Sequence, residues 1–220
     1  VTGWGEMLHT LAQGDAVCCA AHRADCPFPQ EMRYELPGLV IDNCAMAGRS
    51  SKTFREEGRL DDIATHIRPG DLLVVSFGHN DANRAKAERY VPADAFGESL
   101  RPFWDAARSH GAVCIFASPV AMREFDEDSV CHPSFAAYRE AMRAFAAEVG
   151  APFIDLGAAT AAANTAFGAE RCKARYMWVG AKQDNAHQQN AGACRTAQAF
   201  VQQLLQDTTP ALDMLRANFK

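Results

Sequence analysis

Four short, continuously apolar runs separated by amphipathic stretches of helical period constrain this chain more than any other feature. Leu39-Val40-Ile41 leads into Asn43-Cys44-Ala45, and residues 72–77 follow the Pro69-Gly70-Asp71 turn. Residues 113–117 follow Gly111, and residues 152–156 follow Gly150. Unbroken rather than alternating hydrophobicity marks strands covered on both faces, and strands alternating with helices mark parallel βαβ units. Between them, Leu60, Ile63, Ala64 and Ile67 share one helical face, as do Phe96, Leu100, Phe103, Trp104 and Ala107. Phe135, Tyr138, Met142, Phe145 and Val149 stripe another helix, and Trp4, Met7, Leu8 and Leu11 a first one ending near Gly14. Two more helices are expected over residues 158–167 and 191–205. Aromatic stripes at this spacing belong to a core rather than a ligand box. The expectation is an α/β fold with a mostly parallel sheet, as one domain spanning 1–220.

At 48% hydrophobic and 22% charged residues, the composition is that of a globular domain with a sizeable core. A net charge of -5 argues against nucleic acid or an anionic membrane as partner. No apolar run approaches the ~18 residues of a membrane span. The eight cysteines show neither a C-x-x-C pair nor zinc-finger spacing with histidine. Free thiols in a reducing, cytoplasmic compartment are therefore expected, with a Cys19–Cys26 bridge left open. Cys44 and Cys114 are expected to serve as small apolar residues within strands. Residues 18–37, with Pro27, Pro29 and Pro37, read as a surface wrap. Residues 119–133 read as a charged, solvated loop whose other possible role is substrate access.

Three polar motifs follow apolar or helical segments. Gly48-Arg49-Ser50 and Gly78-His79-Asn80-Asp81 come first, and Asp184-Asn185-Ala186-His187 lies near the C-terminus. In a doubly wound sheet such loops gather at the carboxyl edge of the strands. A carboxylate three residues before a histidine can hold the ring through Nδ1 and leave Nε2 as a general base. Asn80 offers a side-chain amide donor, and Gly48 a backbone N–H with no Cβ in the way. Two such donors converging on one point make an oxyanion hole. The residues thus point to acyl transfer by His187, Asp184, Gly48 and Asn80, a chemistry that requires neither metal nor organic cofactor.

In this order the motifs resemble those of the SGNH hydrolases, the GDSL-like esterase superfamily, and within it the rhamnogalacturonan acetylesterase group, carbohydrate esterase family twelve. Gly3-Trp4-Gly5-Glu6, Asn43-Cys44-Ala45-Met46-Ala47-Gly48-Arg49-Ser50, Phe54-Arg55-Glu56-Glu57-Gly58-Arg59 and Pro69-Gly70-Asp71 carry the resemblance, with Phe77-Gly78-His79-Asn80-Asp81, Asp184-Asn185-Ala186-His187 and Ala191-Gly192-Ala193. It implies a three-layer α/β/α, flavodoxin-like fold. It also implies oxyanion roles for Gly48 and Asn80, acid and base roles for Asp184 and His187, and an acetylated carbohydrate or small ester as substrate. The family's nucleophilic serine sits in a G-D-S motif ahead of G-W-G-E, which begins here at Gly3. A first strand bearing that serine is accordingly expected upstream of Val1, and residues 1–220 alone are expected to be inactive. Ala186 stands where the family commonly has threonine.

Other residues fit the nucleophile's role poorly. Gly14-Asp15-Ala16 lacks a serine, Ser50 reads as a helix N-cap with Ser51 as competitor, and Cys44 has no base nearby in sequence. His9, His22, His66, His110 and His132 read as surface residues. His79 reads as packing beside the site and Asp81 as a brace for its own loop. Arg49 and Arg55 read as surface ion-pair formers, with contact to an acidic sugar as the alternative. A catalytically inactive carbohydrate-binding or scaffold domain is the competing functional class. A flavin or nucleotide binder fits the fold but lacks a phosphate-cradling glycine loop.

Overall fold

The computed structural model describes residues 1–14 and 26–219. Expectations that fall on Asp15, Ala16, Cys18, Cys19 and His22 lie outside the described residues. A 3-10 helix (Trp4–Thr10) precedes β1 (Met32–Leu36), β2 (Leu39–Asn43), α1 (Ser51–Glu56), α2 (Arg59–His66) and β3 (Leu72–Val75). Then come α3 (Ala93–Ser109), β4 (Val113–Ala117), α4 (Ala136–Val149), β5 (Phe153–Ile154), α5 (Leu156–Phe167) and α6 (Ala169–Cys172). The chain continues through β6 (Tyr176–Val179), β7 (Lys182–Gln188), α7 (Asn190–Gln206) and α8 (Asp213–Arg216). These elements fall into two compact units.

One unit comprises residues 46–119 and 135–155. Its sheet is parallel, in the order β3-β4-β5, with Leu72 opposite Val113 and Phe116 opposite Phe153. The α3 stripe read from the sequence is its buried face: Phe96, Leu100, Phe103 and Ala107 are at most 2% exposed. It packs with α4, whose Met142 and Phe145 are buried, and with the central β4 strand. Phe116 meets Phe145 edge-on at 5.5 Å between ring centroids, and Phe103 lies 5.1 Å from Phe77. Each such aromatic pair adds roughly 0.5–1.5 kcal/mol beyond its area burial. The α/β expectation with helices on a parallel sheet holds.

The other unit comprises residues 1–45, 120–134 and 156–220. Here several expectations are corrected. The 39–41 run joins no parallel sheet; β2 pairs antiparallel with β1, Leu36 opposite Leu39. Pro37-Gly38 closes this hairpin, because proline presets φ for the first turn position and glycine accepts the second. Residues 32–36, read as part of a surface wrap, are therefore a strand. Cys44 falls just past β2 and is half-buried, whereas Cys114 lies buried within β4 as expected. The first helix is 3-10 rather than α; its Trp4 packs on Phe200 of α7, 5.0 Å between centroids. Leu156, read as the end of a strand, opens α5 instead. Cys114, Cys131, Cys172 and Cys194 carry free thiols. No helix among the described residues is long and apolar enough to cross a membrane.

Candidate active site

Asp184, Asn185, Ala186 and His187 do not form a loop, as read from the sequence, but a bulged stretch of β7. In the β6–β7 ribbon Met177 pairs with Asp184 and the adjacent Tyr176 pairs with Gln188, so the three residues between are extruded. Bulges re-aim side chains in this way. Asp184 closes the bulge: its Oδ1 accepts the backbone N–H groups of Ala186 and His187, both at 2.9 Å. Its Oδ2 accepts from His187 Nδ1 at 2.8 Å. Burial alone would push the Asp184 carboxyl up. The two backbone donations and the imidazole instead hold it well below the usual carboxylate range. The acid is thus ionised, braced and one-sixth exposed, while the His187 side chain is 56% exposed. With Nδ1 engaged, Nε2 is left to exchange a proton.

Sequence reasoning missed what steadies this bulge. Asn185 Oδ1 accepts from Trp178 Nε1 at 2.8 Å and from Arg123 Nη1 at 3.3 Å, and its backbone O accepts Arg123 N at 2.7 Å. The Arg123 guanidinium also stacks 4.7 Å from the Trp178 ring. At this point the 119–133 segment is a clamp on β7 rather than a solvated loop. Lys182 Nζ stands 3.4 Å from Asp184 Oδ2 and shares the carboxylate with the histidine. The available signal was the Tyr176-Met177-Trp178-Val179 run followed by Gly180-Ala181, a strand and a two-residue hairpin turn.

Gly48 and Asn80 lie together in the parallel-sheet unit. Gly48 is left-handed, at φ +79°, and a Cβ there would stand 3.5 Å from Arg89 Nη1. Asn80 Nδ2 donates to the Arg49 carbonyl at 3.1 Å, and Asn80 Oδ1 accepts from Arg89 Nη1 at 3.3 Å. One amide hydrogen of Asn80 remains for a ligand. Arg89, also missed in the sequence, thus fixes which way that amide faces.

Beneath them sits Asp81, fully buried. Its Oδ1 accepts Ser51 N at 2.9 Å and Ser51 Oγ at 2.6 Å, and its Oδ2 accepts Gly78 N at 3.0 Å. Burial pushes this carboxyl up against the opposing effect of those donors. Asp81 therefore ties the start of α1 to the Gly78 turn, as expected of a brace. Ser50 caps α1 by accepting Thr53 N at 3.2 Å. Both serines are fully buried and committed to these bonds. His79 packs edge-on against Phe135, 4.8 Å between centroids. Arg49 forms the expected ion pair, its Nε 2.8 Å from Glu57 Oε1. Burial raises the thiols of Cys114, to about 12, and of Cys131 and Cys172, so these sulfurs stay protonated.

Helices on a parallel sheet, an Asn-Asp turn beyond β3 and a carboxylate-held histidine define an acyl-hydrolase class of α/β protein. The chain belongs to the GDSL-like Lipase/Acylhydrolase family, whose model matches residues 3–193. It is 35% identical over 187 residues to rhamnogalacturonan acetylesterase RhgT of Bacillus subtilis (strain 168), covering 81% of this chain and 79% of that one. It is 38% identical to the probable rhamnogalacturonan acetylesterase YesY of the same organism, covering 70% and 71%. Among solved structures, YxiM of Bacillus subtilis superposes with a TM-score of 0.69 at 29% identity, over 77% of this chain. This chain spans less than half of that one, 46%. A variant of Axe2, an acetyl xylan esterase from Geobacillus stearothermophilus, shares the fold at a TM-score of 0.51 and 21% identity, covering 70% of this chain and 67% of that one.

Proposed function

We propose that this protein is a serine esterase that removes O-acetyl groups from carbohydrate, with rhamnogalacturonan-type oligosaccharides as its substrate class. The observation that carries the reading is the 2.8 Å contact between His187 Nδ1 and the ionised Asp184 within a family of acyl hydrolases. The names of the 35% and 38% identical relatives supply the substrate class. In the reaction, a serine nucleophile attacks the acetyl carbonyl while His187 Nε2 takes its proton. Asp184 stabilises the resulting imidazolium. Gly48 N–H and the free amide hydrogen of Asn80 receive the oxyanion, whose charge exists only after attack. As the C–O bond to the sugar breaks, His187 gives the proton to the departing sugar oxygen, and then activates water to release acetate.

The test is acetate release from acetylated pectic oligosaccharides by protein expressed from its complete reading frame. His187→Ala should abolish release, and Asp184→Asn should lower kcat by orders of magnitude with an unchanged circular dichroism spectrum. Wild-type turnover in both variants would remove the pair from the mechanism. Oligosaccharide binding without any hydrolysis by the wild type would establish the inactive carbohydrate-binding alternative.

A further inference from the structure

We infer that Arg89 is a specificity-determining residue that binds a carboxylate of the substrate beside the scissile acetyl group, selecting O-acetylated acidic oligosaccharides over neutral ones. The inference deepens the esterase reading and rests on it. Arg89 sits in the 82–90 segment, which is wound tight by successive turns: Lys86 N donates to Asn83 O at 3.0 Å and Arg89 N to Lys86 O at 2.9 Å. Val91 N closes its base on Asp81 O at 3.0 Å. The guanidinium is therefore held from both ends, by this backbone and by the 3.3 Å bond from Nη1 to Asn80 Oδ1.

That anchoring spends one of five N–H donors. Arg49, Arg59, Arg101 and Arg139 all reach carboxylate oxygens within 3.0 Å. Arg89 does not: its contact is Glu88 Oε1 at 3.7 Å, beyond hydrogen-bond length, on a side chain that is 62% exposed. Among the described residues, then, most of the Arg89 donor edge has no acceptor, although a third of the side chain faces solvent. Arg84 and Lys86 add positive charge to the same segment against Glu88 alone, within a chain of net charge -5. A planar guanidinium fork matches a carboxylate in a bidentate way that a lone hydroxyl cannot match. Because Arg89 Nη1 bonds the Asn80 amide oxygen and would stand 3.5 Å from a Cβ placed on Gly48, a carboxylate it holds belongs to the acetylated sugar or its immediate neighbour.

The experiment compares wild type, Arg89→Gln and Arg89→Lys on acetylated oligogalacturonides, acetylated xylo-oligosaccharides and p-nitrophenyl acetate. Arg89→Gln should lower kcat/KM on the oligogalacturonide relative to both neutral esters by about 10- to 100-fold, the worth of one charge-assisted hydrogen bond. Arg89→Lys should keep the charge but not the fork, and so recover only part of that ratio. The wild-type preference for the acidic substrate should shrink as salt rises from about 10 mM to about 500 mM, while the Arg89→Gln ratio stays flat. An equal loss on all three substrates would reduce Arg89 to a support for Asn80 and overturn the inference, as would no loss on any. Titration of de-esterified oligogalacturonate, followed by calorimetry, separates the two claims. If no ester is hydrolysed yet Arg89→Gln weakens this binding, the esterase reading fails and the carboxylate contact stands. Equal binding by both proteins overturns the contact.

Discussion

Asn80 carries two amide hydrogens, and the Arg49 carbonyl takes one at 3.1 Å. The second has a direction set by the Arg89 bond to Oδ1, so it is oriented before any substrate arrives. Preorganised donors of this kind stabilise charge that appears only in the transition state. Asn80→Ala should therefore lower kcat by about 10²–10³-fold, roughly 2.7–4 kcal/mol, with little change in KM. Steady-state kinetics on p-nitrophenyl acetate decide the matter; unchanged kcat with raised KM would make Asn80 a recognition residue. At this scale the sequence was readable wherever a motif spells out its own local bonds. Asp184 and His187 meet because their spacing of three residues lets one carboxylate reach both the imidazole and the backbone N–H of His187. Arg123, Trp178 and Arg89 were not readable in that way. Arg123 reaches Asn185 across 62 residues of chain, and Arg89 reaches Asn80 through a loop with no regular period.

The bulged β7 strand and the α7 helix that follows it explain the Ala191-Gly192-Ala193 motif. A Cβ on Gly192 would lie 2.1 Å from the Arg175 carbonyl oxygen, and backbone cannot swing aside as a side-chain tip can. That same carbonyl accepts Gln189 N at 2.9 Å, two residues past His187. Gly192→Ala should therefore push α7 away and cost about 1–3 kcal/mol or more, lowering the melting temperature by roughly 2–12 °C for a chain of this size. A scanning-calorimetry trace matching wild type would refute the close approach. Gly78 makes a similar demand, with a Cβ placed 2.4 Å from Pro119 Cγ at φ +132°. At the scale of elements, the long helices with strong stripes were legible within a few residues, because periodicity and a stop at Gly111 or Gly150 specify them. The two antiparallel ribbons were not. β7 reads Lys-Gln-Asp-Asn-Ala-His-Gln, a polar sequence whose strand form comes from pairing with β6 rather than from its own propensity.

Across the whole molecule, folding moves the acidity of carboxyl groups in two directions, and that predicts how stability depends on pH. Hydrogen bonding to Arg59 lowers Glu57, and donation from Val130 N together with the His132 ring lowers Asp126. Asp184 is lowered further, its donors overcoming the effect of burial. A carboxyl whose folded pKa lies below its unfolded value adds stability that is fully present above the unfolded value, about 4, and is lost as pH falls toward the folded one. Asp81 runs the other way: burial raises it, so its ionised form costs stability at neutral pH, and that cost is relieved as acid protonates the folded chain first. The lowered groups act together, so the melting temperature should hold between about pH 5 and 8 and fall steeply below about pH 4. Asp184→Asn isolates one member of that group. An amide cannot accept from both backbone N–H groups and the imidazole as the carboxylate does, so the variant should melt lower at pH 7. It has no proton to gain there, so its melting temperature should fall less than that of wild type between about pH 4 and 2. Melting curves that stay parallel through the acid range would mean that Asp184 is no more acidic in the folded chain than in the unfolded one. The bulge would then be held by Arg123 and Trp178 alone.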